Sequence, residues 1–173
     1  MTATRVIGVL VTTLVIGGCA KTPPPSAPAD TIDLVTPLPA NFNVQAPAPQ
    51  IPKPIAEFSG IWKGDWLVAA SGSDPVGILH HTLVVTRIEP STSSDFRAAI
   101  VYSAGAPPAT WQDGGPGFWE LWGTVSADGT LRMKAPGPDG GEAVYTVADD
   151  GKSLKGQYLV QGKTITGTFL RIR

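Results

Sequence analysis

From Gly60 onward the chain breaks into short apolar-rich runs separated by turn residues. No ten-residue stretch spaces its apolar positions by three and four, as an amphipathic helix would. In the first run, Gly60-Ile61-Trp62-Lys63-Gly64-Asp65-Trp66, positions two apart share a face of an extended strand, so Gly60, Trp62, Gly64 and Trp66 fall together. The glycines leave room for neighbouring indoles, and this face is read as interior. Runs of this type over Gly60–Ala69, Ile78–Ile88, Phe96–Ser103, Phe118–Ser126, Thr130–Ala135, Ala143–Ala148, Ser153–Val160 and Lys163–Ile172 predict eight strands. Asp128-Gly129, Asp150-Gly151 and Gln161-Gly162 offer the glycine that a tight hairpin takes at positive φ, so successive strands pair antiparallel. The predicted class is all-β. An eight-strand meander that closes into an up-and-down β-barrel leaves no open edge and encloses room for side chains or one small ligand. A two-sheet β-sandwich is the alternative arrangement.

Before Phe58 the pattern is different. Val6 to Ile16 is mostly apolar and follows a weakly positive start, Met1 to Arg5. It is too short for a membrane span, which takes about 20 apolar residues, and has the length of the apolar part of a secretory signal. Directly after it stands Ile16-Gly17-Gly18-Cys19, an aliphatic residue, two small residues and the only cysteine of the chain. This resembles the lipobox of bacterial lipoproteins. The resemblance implies a signal peptide over residues 1–18, removed by a cut before Cys19, and a lipidated Cys19. Two or three acyl chains, at about 0.8 kcal/mol per buried methylene, hold a protein on a membrane without spanning it. Ala20 stands where, in the enterobacterial pattern, aspartate favours inner-membrane retention, which points to an outer-membrane anchor facing the periplasm. An ordinary signal peptide cut nearby is the alternative.

Residues 19–57 hold prolines in quick succession, among them Pro23, Pro24, Pro25, Pro37, Pro39, Pro47, Pro49, Pro52 and Pro54. Such density favours extended polyproline II at about 3.1 Å per residue, which makes this stretch a disordered, semi-rigid tether. Within it Thr31-Ile32-Asp33-Leu34-Val35 is apolar enough to dock, and Phe42 is its single aromatic residue. All five Trp and all three Tyr lie beyond Glu57, so residues 58–173 are read as the folded β-barrel domain.

Composition narrows the functional classes. At 173 residues the chain has room for one domain and a tail. With 42% hydrophobic and 16% charged residues and a net charge of -1, it is neither a charged disordered chain nor a basic nucleic-acid binder. One cysteine excludes an internal disulfide framework and a thiolate zinc site. His80 and His81 are the only histidines, and adjacent strand residues face opposite ways, so they do not close on one metal. No metal or cofactor is expected.

The Gly60-Ile61-Trp62 opening, together with the last strand Thr168-Phe169-Leu170-Arg171-Ile172-Arg173, resembles the calycin-type barrels of lipocalins and avidin-like proteins. The resemblance implies that Gly60 and Trp62 form the barrel floor and that Arg171 or Arg173 crosses it and stacks on Trp62. It covers Phe58 to Arg173, about two thirds of the chain. The long first loop, the helix after the barrel and the disulfides of lipocalins have no counterpart here. The Gly-x-Trp-x-Gly strand followed by His81-Thr82-Leu83-Val84-Val85 is also similar to a recurrent bacterial domain, which brings no activity with it.

A small-molecule pocket needs a few polar groups among apolar and aromatic walls. Trp66, Tyr102, Glu120, Tyr145 and Tyr158, with Arg132, are the interior candidates, although hydroxyl-bearing aromatics also suit a filled core. Trp111, in the long loop from Gly105 to Gly117, is a candidate lid or contact residue. Trp119 and Trp122 fall on opposite faces of one strand, so one of them points outward. No catalytic constellation stands out: no Gly-x-Ser-x-Gly elbow is present, and His81 sides with Leu79, Leu83 and Val85. The expected function is a membrane-anchored, non-enzymatic barrel that binds a small apolar or aromatic ligand or an envelope protein. The alternatives are a scaffold or assembly lipoprotein acting through surface aromatics and a barrel resembling bacterial protease inhibitors. A hydrolase using His81 is the one enzymatic reading.

Overall fold

The computed structural model describes residues 36–68, 77–91, 94–106, 116–136, 140–160 and 163–172. One helical turn, α1 (Lys53–Ala56), precedes the strands β1 (Gly60–Val68), β2 (Gly77–Pro90), β3 (Phe96–Ala104), β4 (Gly117–Ser126), β5 (Thr130–Lys134), β6 (Glu142–Val147), β7 (Ser153–Val160) and β8 (Lys163–Arg171). They form a closed barrel in sequence order. Every neighbour pairs antiparallel, and β8 returns to β1 with Trp62 opposite Arg171 and Leu67 opposite Thr166. That last ladder removes both edges and decides for the barrel over the sandwich.

The turns follow from local chemistry. Gly129 and Gly151 sit at φ 77° and 64°, the left-handed region that a side chain disfavours. Asp128 and Asp150 accept hydrogen bonds from the backbone N–H groups of Thr130 and Lys152, which holds each hairpin bend. Gln161-Gly162 lies outside the described residues. A bulge between Val85 and Arg87 shifts the β2–β3 register, so Val85 and Ile88 both face inward although they are three apart.

One end of the barrel is closed by α1 and the residues around it. Ile51, Ile55 and Phe58 are buried against the aliphatic layer formed by Val85, Ile88, Ile100, Val125, Leu131 and Leu154. Above them lies the fully buried Trp62, whose indole N–H donates to the Phe58 carbonyl at 2.9 Å. Arg171 stacks on that indole, with its guanidinium carbon 4.1 Å from the ring centroid. Gly60, at φ 134°, lets the chain enter β1 beneath it. Arg173 lies outside the described residues.

Residues 36–57, expected to be tether, belong instead to the folded unit. The stretch runs as a strap over the outer face of β2 and β3: Thr36 shares a 2.8 Å hydrogen bond with Thr82, the Pro37 carbonyl accepts from the Ser103 hydroxyl, and the Gln45 N–H donates to the Thr86 carbonyl. Thr82, Val84, Val101 and Ser103 point out of the barrel yet are buried beneath it. Proline density dictates extended backbone but not whether that backbone docks. Here Ile51 and Ile55 bring enough apolar surface to join the core. Residues 19–35 lie outside the described residues.

Candidate functional site

Alternation carries a second layer of interior side chains into the half of the barrel away from α1. Trp66 of β1, His81 of β2, Tyr102 of β3, Tyr145 of β6, Tyr158 of β7 and Phe169 of β8 meet there. The registers that bring them level place Gly64 opposite both His81 and Phe169, and Ala143 opposite Tyr158. The Trp66 indole is the hub, with ring centroids 5.0 Å from Phe169, 5.8 Å from Tyr145 and 6.1 Å from both Tyr158 and His81.

Small residues make this crowding possible. A Cβ on Gly156 would lie 2.7 Å from both the Phe169 and Trp66 rings, and one on Gly167 would lie 2.9 Å from the same two. On Gly141 it would strike the Tyr158 ring at 2.6 Å. Bulky rings and bare backbone therefore alternate around the wall.

His81 is fully buried. Its Nδ1 lies 2.7 Å from the Ser103 carbonyl, an acceptor only, so Nδ1 carries the proton and donates. Nε2 is then the acceptor, and the Tyr145 hydroxyl donates to it across 3.3 Å. Burial opposes charging and lowers the His81 pKa from 6.5 to about 3, while the Ser103 carbonyl pulls weakly the other way. Burial also pushes the Tyr102 and Tyr145 phenols well up, and the neighbouring phenols add to it. The layer is neutral throughout at neutral pH. Among the described side chains facing it there is no carboxylate, ammonium or guanidinium.

The Trp66 N–H is buried and, among the described residues, has no partner at hydrogen-bonding geometry. The Tyr102 hydroxyl is near enough for the indole to favour its ionised form slightly, but it does not reach bonding geometry. A buried donor left unpaired costs about 1–3 kcal/mol, so the position calls for an acceptor from elsewhere. Toward the end away from α1, Tyr158 is half-buried and Trp119 is 36% exposed. The Trp119 ring stands 6.1 Å from that of Tyr102 and lies over Gly117, the first residue of β4.

Four sequence candidates, Trp66, Tyr102, Tyr145 and Tyr158, thus share one layer. Two interior candidates do not join them. Glu120 points outward and is exposed, and Arg132 is exposed beside Glu142 at 3.8 Å. The reason is phase: Phe118, Trp119, Leu121 and Trp122 supply apolar groups to both faces of β4, and the contact of Trp119 with Tyr102 turns the odd-numbered positions inward. Trp122 is the outward tryptophan. It is 47% exposed, with the guanidinium carbons of Arg97 and Arg87 3.8 Å and 5.5 Å from its ring centroid. Trp111 lies outside the described residues. His80 projects outward and pairs with Asp65 at 2.7 Å. Among the described residues no three of His, Cys, Asp and Glu are grouped as a metal ion needs.

The chain matches no protein-family model and no curated protein. Among solved structures it is similar to a de novo designed fluorescence-activating β-barrel, at 17% identity and a TM-score of 0.43, over 70% of this chain and 99% of that one. It is also similar to a redesigned β-barrel bound to DFHBI, at 15% identity and a TM-score of 0.40, over 66% of this chain and 99% of the other.

Proposed function

We propose that the barrel is a non-enzymatic binding module that takes a small, neutral, aromatic or apolar molecule carrying one hydrogen-bond acceptor. The observation that carries this reading is the buried, unpartnered N–H of Trp66 in a layer of neutral rings. The surrounding aromatics supply apolar contact, and the indole supplies direction. An ion is a poor fit, because the layer offers no counter-charge and desolvation of a charged ligand goes uncompensated.

The test is a pair of ligands that differ in one acceptor, 2-acetylnaphthalene and 2-ethylnaphthalene, titrated against intrinsic tryptophan fluorescence. The ketone is expected to bind about tenfold more tightly, the worth of one buried hydrogen bond. Trp66→Phe, which keeps a ring and removes the N–H, abolishes that preference while the hydrocarbon still binds. Equal affinity for both ligands in the unsubstituted protein defeats the reading.

The same proposal places the protein on the periplasmic side of the bacterial outer membrane, held by an acylated Cys19. Ile16-Gly17-Gly18-Cys19 behind an apolar stretch supports this, and kinship with calycin-type barrels is supported by Arg171 on Trp62. The mass of the N-terminal peptide of the mature protein tests the anchor. A peptide beginning at Cys19 with added acyl mass is expected, and an unmodified terminus defeats it.

A further inference from the structure

Five of the eight large apolar side chains exposed among the described residues lie at one end of the barrel. Leu67, Ile78, Phe118, Trp119 and Leu159 are between 36% and 52% exposed, and each lies within two residues of the end of its strand on the side away from α1. They belong to β1, β2, β4 and β7, so they are set around the rim, with Leu67 directly opposite Ile78. Among the described side chains near the rim, Asp65, Glu120, Arg132, Lys134 and Glu142 carry charge. The α1 end carries Lys53, Glu57, Asp128, Asp149, Asp150 and Lys152 about its turns, together with the exposed Leu170 and Ile172 at the end of β8.

The course of the chain bears on what meets the rim. The strap begins at Thr36, bonded to Thr82, and the Pro37 carbonyl accepts from Ser103, which faces Phe118 across the β3–β4 ladder. The tether therefore joins the domain beside the rim and not at the α1 end. Sixteen residues, 20–35, separate Thr36 from Cys19.

We infer that the apolar rim docks on the surface of the phospholipid bilayer to which Cys19 anchors the chain. The inference rests on the anchor reading for its geometry and on the exposed side chains for its chemistry. Phe118 and Trp119 suit the headgroup level, where aromatic side chains gather, while Leu67, Ile78 and Leu159 enter the acyl boundary. Docked this way, the aromatic layer faces the membrane, and an apolar ligand passes between lipid and barrel without crossing bulk water.

The experiment uses the processed protein, purified from whichever fraction holds it. It is combined with vesicles of phosphatidylethanolamine and phosphatidylglycerol, with or without lipids brominated on the acyl chain. Bromine is expected to quench part of the tryptophan emission. That part disappears in Trp119→Phe, persists in Trp122→Phe and at high salt, and falls severalfold in Leu67→Lys/Ile78→Lys, whose circular dichroism stays that of the parent. Absence of quenching, or quenching that survives Trp119→Phe, overturns the inference. Acylation is read separately from the N-terminal peptide mass, so failure of the anchor and failure of the rim are told apart.

Discussion

Arg171 holds its guanidinium carbon 4.1 Å from the Trp62 ring centroid and sends N–H groups to three carbonyls, those of Gly151 at 3.1 Å, Ser59 at 2.8 Å and Glu57. One planar fork thereby ties the last strand to the β6–β7 turn and to the segment that leads into β1. Arg171→Ala is expected to destabilise the fold by about 2–3 kcal/mol, from the lost cation–π contact and the unpaired carbonyls. Arg171→Lys should recover less than half, because an ammonium does not meet three acceptors in one plane. Urea unfolding of the three proteins measures both, and equal stability of the Lys variant and the parent contradicts the account.

Gly156 is bounded by two rings, so its substitution reports on how tightly the aromatic layer is packed. Gly156→Ala places a methyl 2.7 Å from both Phe169 and Trp66. Overpacking of this kind costs about 1–3 kcal/mol and forces a ring to move. The expected signs are a lower urea midpoint and a changed near-ultraviolet circular dichroism spectrum of Trp66. Phe169→Leu in the same chain should restore part of the loss. If the double variant is no more stable than Gly156→Ala alone, Phe169 is not the ring that blocks the methyl.

Much of this arrangement is legible in the sequence, and the misses have identifiable causes. Strict alternation in the first strand put Trp62 and Trp66 on one face with Gly60 and Gly64, and Asp-Gly pairs marked two of the hairpins. Glu120 is another matter, because β4 is apolar on both faces and its phase depends on Tyr102, a residue of another strand. Nothing local marks Gly141, Gly156 and Gly167, and only strand pairing sets them against Tyr158, Phe169 and Trp66. The hydrogen-bonded line from Ser103 through His81 to Tyr145 joins residues up to 64 positions apart, which no local pattern encodes. Burial of Thr82 and Val84 on an outer face was equally hidden, since their cover comes from a proline-rich segment.

That cover yields a prediction about where the domain begins. A chain starting at Phe58 lacks Ile51 and Ile55, whose burial contributes about 1.5–3 kcal/mol each. It also exposes Val84 and Val101 on the barrel wall. It should be less stable by roughly 3–6 kcal/mol than a chain starting at Asp33, and more readily cleaved by protease under native conditions. Ile55→Ala in the longer chain should reproduce about 2–4 kcal/mol of the difference. Equal urea midpoints for the two chains would show that the strap rests on the barrel without stabilising it.

His81 makes stability depend on pH in a defined direction. Its folded-state pKa is depressed to about 3 by burial, against 6.5 when unfolded, so between those values the unfolded chain binds a proton that the folded chain refuses. The stabilisation is complete above about pH 6.5 and declines as pH falls, by about 1.4 kcal/mol per unit, until the folded group also protonates. The facing groups, Tyr102, Tyr145, Phe169 and Trp66, stay neutral across this range and supply no charge that would hold an imidazolium. Between pH 7 and pH 5, above the carboxylate range, the loss should be about 2 kcal/mol. His81→Gln removes the titrating group and retains a donor for the Ser103 carbonyl, so its stability should change by about 2 kcal/mol less over the same interval. His80 and its Asp65 partner are present in both proteins and cancel in the comparison. Parallel pH profiles for the two proteins would mean that the buried imidazole accepts a proton in place and that a polar path reaches it from solvent.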